Sequence, residues 1–161
     1  AKDVMAMGPK IVVIKRGDQL HATAQILGPS ADLEDVEDEI RAIAKDYRVA
    51  CVTFVPRQFA RSAEMLEKEG FRMIEHPLSA ERLGRASATL WRLIERQELH
   101  HDGDKAFRAH VLAGVVTEDQ QGWRLIKDPR TRRPVAALIA LAMAVQTASD
   151  QPVREAMMAW A

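Results

Sequence analysis

Apolar positions change their spacing several times along the chain, and each change marks an element. Ile11-Val12-Val13-Ile14 is a compact β-branched run, Lys15-Arg16-Gly17-Asp18 follows, and Gln19 to Leu27 alternates loosely. Two β-rich stretches around a Gly-Asp pair predict a hairpin, which Gly28-Pro29-Ser30 ends. From Asp32 the period lengthens. Leu33, Val36, Ile40, Ile43 and Tyr47 fall at three- and four-residue steps, the spacing of an amphipathic helix. Asp32, Glu34, Asp35 and Glu37 crowd its first turns, where the helix dipole favours negative charge.

Val49 to Val55 is a continuous apolar run ending at Pro56, the pattern of a strand buried on both faces. A helix is predicted from about Arg57 to Glu69 with Gly70 as its cap, then a short strand from Phe71 to Glu75. Helix, strand, helix, strand in that order predicts a βαβ unit with a parallel pair. Ser79 is placed to cap the next helix, lined by Leu83, Ala86, Leu90, Leu93 and Ile94. His100-His101-Asp102-Gly103-Asp104 breaks the period as a loop, and Asp104 caps a short helix through Phe107 and Val111. Val115-Val116-Thr117 and Trp123-Arg124-Leu125-Ile126 predict a second hairpin. Pro134 is expected to open a last long helix reaching about Ala148, apolar on all sides and therefore buried against a sheet. Pro152 is expected to start a short terminal helix.

Composition narrows the classes. The chain has 161 residues, 47% of them hydrophobic, with 23 basic and 23 acidic side chains. That is globular composition, and the length suits one domain spanning residues 1–161. The single cysteine, Cys51, excludes a disulfide framework and any multi-cysteine zinc site. Its place in an apolar run predicts a buried structural thiol. The longest apolar run, Pro134 to Val145, is too short to span a membrane. Ala1 to Pro9 has no charged region leading into an apolar core, so a cytoplasmic setting is expected. No glycine-rich phosphate loop and no Gly-x-Ser-x-Gly turn is present, which leaves ATP-driven and serine-hydrolase readings without support.

The zero net charge is a sum over unlike regions. Ser30 to Tyr47 carries seven acids and two bases, whereas Arg124 to Arg133 carries five bases and one acid. The basic group is Arg124, Lys127, Arg130, Arg132 and Arg133, with Asp128 as its only counter-charge. Such a run on a hairpin exit and loop is suited to gripping phosphates; the alternative is a solvated loop with partners elsewhere. Arg57 and Arg61 follow the carboxyl end of the apolar strand, where α/β folds tend to bind ligands, although surface charge alone accounts for both. Arg57 joins the basic run as a candidate nucleic-acid contact. His100, His101, Asp102 and Asp104 are metal-ligand types, but adjacent side chains in a loop rarely converge on one ion, so a solvated loop is expected.

The ordered set of segments resembles the C-terminal nuclease domain of bacteriophage large terminase subunits. The likeness runs from about Leu33 to Val145. It is carried by Tyr47 to Pro56, Ala60 to Leu66, Gly70 to Pro77, Leu90 to Ile94, Leu99 to Arg108 and Val135 to Ala144. The resemblance implies an α/β, ribonuclease H-like mixed sheet flanked by helices, and cleavage of double-stranded DNA by carboxylates holding two divalent ions, magnesium or manganese. It implies double-stranded DNA and phage packaging proteins as partners, in the cytoplasm of a bacterial host. At this length the chain leaves no room for the ATPase motor of the full-length family.

The sequence departs from the family where the acids are needed. Val55 precedes Pro56 and Ala136 stands in the last helix, where the family has aspartates, and Ile11 to Ile14 carries no acid. Valine and alanine offer no oxygen donor to a hard cation. The expectation is therefore a nuclease-like module with no catalytic residue, metal site or cofactor, acting by binding DNA or a packaging partner. Two rivals stand beside it: an active metal-dependent endonuclease with acids rebuilt from Asp3, Glu75, Asp102 or Asp104, and a purely structural assembly protein.

Overall fold

The computed structural model describes residues 10–16, 19–28 and 30–150, with side chains from Gln19 onward. Asp3, the Gly17-Asp18 turn and the helix expected from Pro152 lie outside the described residues. The first hairpin forms as predicted. Lys10–Arg16 (β1) and Leu20–Ile26 (β2) run antiparallel, Lys10 opposite Ile26 and Arg16 opposite Leu20. Leu33–Asp46 (α1) starts on a reciprocal cap: the Asp35 N–H donates to Asp32 at 3.1 Å and the Asp32 N–H donates to Asp35 at 2.9 Å. Val36 and Ile40 face inward, whereas Leu33 and Tyr47, the two ends of the predicted stripe, are exposed.

Val52–Phe54 (β3), Pro56–Lys68 (α2) and Met73–Glu75 (β4) make the expected parallel unit, with Thr53 opposite Ile74. The strand is shorter than the apolar run that announced it. Only Phe54 is fully buried, because β3 has one strand partner among the described residues. Cys51 therefore lies ahead of the strand and is half-buried, which corrects the expectation of full burial. Burial still pushes its thiol up, against the pull of Arg72. Gly70, at φ +99°, supplies the left-handed turn that ends α2, a conformation open to glycine without steric cost.

Ala80–Glu95 (α3) is capped by Ser79, which accepts from the Arg82 N–H at 3.3 Å. Leu83, Ala86, Leu90 and Leu93 are buried as predicted; Ile94 is not, and Ser87 takes an inward place instead. Its hydroxyl donates to the Leu83 carbonyl at 2.7 Å and accepts from the Leu125 N–H at 3.0 Å, so a polar residue ties two elements together inside the core.

Leu99–His101 (β5) corrects the expected loop: both histidines sit on a strand that pairs in parallel with β2. Lys105–Leu112 (α4) follows, capped by Asp104, which accepts from the Phe107 N–H at 2.7 Å. Gly114–Asp119 (β6) and Gly122–Lys127 (β7) form the second hairpin.

Ala136–Asp150 (α5) begins two residues later than Pro134 and runs two past Ala148. No side chain at its start serves as a cap. Instead the Ala137 N–H donates to Nδ1 of buried His110 from α4 at 3.1 Å, which fixes that imidazole with its proton on Nε2. The register of α4 thus decides where α5 can begin.

The described strands form three small sheets, ordered β1-β2-β5, β3-β4 and β6-β7. Helix α5 packs against α3, α4, β1, β2 and β3 and so bridges the first two sheets. The larger core lies around it and includes Ala22, Leu90, Phe107, Leu138, Leu141 and Val145. At Gly114 a Cβ would collide with buried Leu138, and glycine lets β6 come that close. A second cluster, Val36, Ile40 and Leu66, fills the space between α1 and α2. Among the described residues no helix is long and apolar enough to cross a membrane.

Candidate nucleic-acid interface

The basic run does not fold into one uniform patch. Arg124, on β7, is bound to Asp119 across the hairpin at 2.6 Å, and this contact holds the Asp119 carboxyl below the usual carboxylate range. Strand alternation turns Arg124 and Lys127 to opposite faces of β7, and both are half-buried. Arg57 stands in the first turn of α2, whose main packing is with α1 and β4, whereas β7 packs on α3.

Arg130, Arg132 and Arg133 are brought together. They sit in the loop between β7 and α5, all three exposed, and none makes a salt bridge among the described residues. The reason is local. The Asp128 carboxylate is spent on its own turn, accepting from the Arg130 N–H at 2.8 Å, and the Arg132 N–H closes that turn on the Asp128 carbonyl at 3.0 Å. The Arg130 N–H, with help from the Thr131 hydroxyl and N–H and the Arg130 charge, holds the Asp128 carboxyl below its ordinary value against the opposing effect of burial. Arg132 adopts φ +52°, so the turn is sharp and the three exposed arginines lie on a short arc of chain. The amino end of α5 follows within a few residues and adds its own positive partial charge.

The positions implied to carry acids hold none. Val55 is half-buried at the start of α2, and Ala136 is the exposed first residue of α5. Of the substitute acids, those among the described residues are dispersed or engaged. Glu75 ends β4, exposed. Asp102 accepts from the Asp104 N–H at 3.4 Å, and Asp104 caps α4. On β5 the two histidines point to opposite faces: His100 bonds the Gln19 side chain, and His101 accepts from the Gly103 N–H at 3.1 Å and sets its ring edge-on to Phe107. Among the described residues, no group of three or more His, Cys, Asp or Glu is placed to hold a metal ion. The donors among the described residues do not fit a divalent ion.

A residue that the sequence gave no reason to single out is His76, just past β4. It is 6% exposed, and burial pushes its imidazole below the ordinary value; Arg82 pushes the same way, while its own backbone and Asp150 oppose. The folded chain therefore keeps His76 neutral at a pH where the unfolded chain, titrating near about 6.5, takes up a proton. The stability this provides is present above that pH and is lost as the pH falls toward the depressed folded value. Thermal melts between pH 8 and pH 5.5 are expected to show a falling midpoint below about pH 6.5. The slope should flatten in His76→Phe; an equal slope in that variant would assign the effect to other groups.

The family model for the terminase large subunit, endonuclease domain, matches residues 9–151. Among solved structures, the HK97 bacteriophage large terminase superposes with a TM-score of 0.72 at 15% identity, over 88% of this chain and 37% of that one. The large terminase nuclease of thermophilic phage G20c gives 0.63 at 16% identity, over 86% of this chain and 83% of that one. The same nuclease with bound magnesium gives 0.62 at 16%, over 84% and 79%. No curated protein matches the sequence. This chain thus spans a little over a third of the HK97 large terminase.

Proposed function

The chain belongs to the terminase large subunit endonuclease-domain family, with its ribonuclease H-like α/β fold, and from that premise we propose that it binds double-stranded DNA without cutting it. In this reading residues 1–161 are one module of a phage packaging assembly, working in the cytoplasm of the bacterial host alongside other packaging proteins.

The observation that carries the proposal is the loop at Arg130, Arg132 and Arg133. Three exposed arginines leave a single turn whose one carboxylate is engaged within that turn, by the Arg130 N–H and by Thr131, and forms no salt bridge with them among the described residues. Guanidiniums present paired donors that match phosphate oxygens, and a turn fixes their spacing. Lys127, the last residue of β7, stands next to the loop; Arg124, on the opposite face of that strand, contributes less because Asp119 competes for it. Arg57 adds a contact only where the DNA path reaches α2.

Loss of cleavage follows from the donor chemistry. The G20c nuclease has been solved with magnesium, but at Val55 and Ala136 this chain offers a hydrocarbon where two bridged cations would need oxygen. Fluorescence anisotropy of a labelled duplex, titrated with the chain in EDTA at several salt concentrations, tests the binding half. Saturable binding whose affinity falls steeply with salt is expected. No binding at low salt would leave the purely structural reading standing in its place.

A further inference from the structure

A cleft of about 440 Å³ opens beyond the carboxyl ends of β3 and β4, apart from the basic loop. That edge of a parallel strand pair is where α/β folds place ligands. The volume lies within the span of small-molecule sites, roughly 300–1,000 Å³.

The floor is polar and held in place. Thr147 of α5 shares a hydrogen bond with Thr53 of β3 at 3.0 Å, and Gln146 bonds both Thr89 and Asp150. His76 lies beside them, 6% exposed, with its Nδ1 buried and without a hydrogen-bond partner among the described residues. An unsatisfied buried nitrogen is costly, and such atoms in a concave site commonly mark where a ligand completes the set.

One wall is the opening of α3. Ser79 satisfies the Arg82 N–H, while the first N–H groups of a helix have no intrahelical acceptor and favour anions. Arg82 and Arg85 lie one turn apart on this wall. Arg82 reaches the Glu75 carbonyl at 3.5 Å, and neither arginine makes a salt bridge among the described residues.

We propose that this cleft binds the phosphate of a nucleotide, gripped by Arg82 and Arg85 at the amino end of α3 and hydrogen-bonded by His76 from the floor. Glu75, Glu81 and Asp150 line the same cleft and define what accompanies the phosphate. They oppose a run of several phosphates, and they suit one phosphate attached to a sugar and base that donate hydrogen bonds. Such a group is either a free nucleotide or the terminal nucleotide of a DNA strand.

The test titrates the chain with deoxyadenosine 5′-monophosphate and, separately, with a hairpin duplex bearing a 5′-phosphate or a 5′-hydroxyl, by calorimetry. At least one phosphorylated probe should bind saturably. Mononucleotide binding, or the preference for the 5′-phosphorylated over the 5′-hydroxyl duplex, should weaken at least tenfold in the Arg82→Gln/Arg85→Gln variant and persist when Arg130, Arg132 and Arg133 are alanine. Binding of the mononucleotide identifies the free source; preference for the 5′-phosphorylated duplex without mononucleotide binding identifies the DNA end. No mononucleotide binding together with equal affinity for the 5′-phosphorylated and 5′-hydroxyl duplexes, or no change of either readout in the folded double variant, overturns the proposal. Duplex affinity that is the same with either 5′ group reports on the basic loop, which has its own variants.

Discussion

Replacing Arg130, Arg132 and Arg133 together with alanine is expected to lower duplex DNA affinity on the order of a hundredfold near physiological salt. Each phosphate contact neutralised on B-DNA releases about 0.9 of a counterion, so losing three should also reduce the log–log salt slope by nearly three. The fold should be untouched. All three side chains are exposed, and the turn is held by the Asp128 carboxylate and carbonyl, which the substitutions leave in place. Alanine at Arg132 inherits φ +52° and adds no strain beyond that of arginine. Arg124→Ala should cost far less affinity, because its guanidinium is bound to Asp119 at 2.6 Å. Anisotropy titrations of the wild type and both variants at matched salt decide the matter. Equal affinity in the triple variant would remove the loop from the interface.

The second large effect is on stability. Leu90 is 1% exposed and sits in the core where α3 packs on α5. Leu90→Ala should destabilise the chain by about 3 kcal/mol, the lost transfer free energy plus the cavity left in a packed interior. For a domain of this length that corresponds to a thermal midpoint lower by about 10 °C. Its neighbour provides the contrast: Trp91 is 56% exposed, and Trp91→Ala should shift the midpoint far less despite removing a larger side chain. Denaturant unfolding at unchanged m-value checks both. Similar losses at the two positions would mean that α3 does not present this face to α5.

Much of this architecture was legible in spacing alone. The stripe at Leu83, Ala86, Leu90 and Leu93 and the caps at Ser79 and Asp104 are local, and each formed as the pattern predicted. What failed depended on distant partners. His100 and His101 read as a loop because their strand exists only by pairing with β2, some eighty residues earlier. Helix α5 could not be started correctly from Pro134 because its cap is His110, on another helix. Ser87 reads as polar, yet it is buried because Leu125 and Leu83 both need its hydroxyl. The basic loop was visible as composition, but only the turn shows that Asp128 is spent internally and that Arg124 is paired. The cleft at His76 left no signal beyond its place after a short strand, since Arg82 and Arg85 look like any exposed helix face.

These cases share one physical cause. Helix periods and caps act within about one turn of chain, whereas strand pairing and ion pairing are settled by topology. Val55 and Ala136 belong to neither group: their lack of an oxygen donor is a property of the residues themselves and needs no fold to be seen.

The most direct test of binding without cleavage is a single plasmid experiment. Supercoiled DNA is incubated with the chain in magnesium and in manganese, and the products are run on a gel before and after protease digestion. The account predicts a retarded complex that returns to fully supercoiled plasmid once the protein is digested. Nicked or linear plasmid that builds up with time, needs the divalent ion and disappears when Asp3, Glu75, Asp102 or Asp104 is changed to alanine would contradict it.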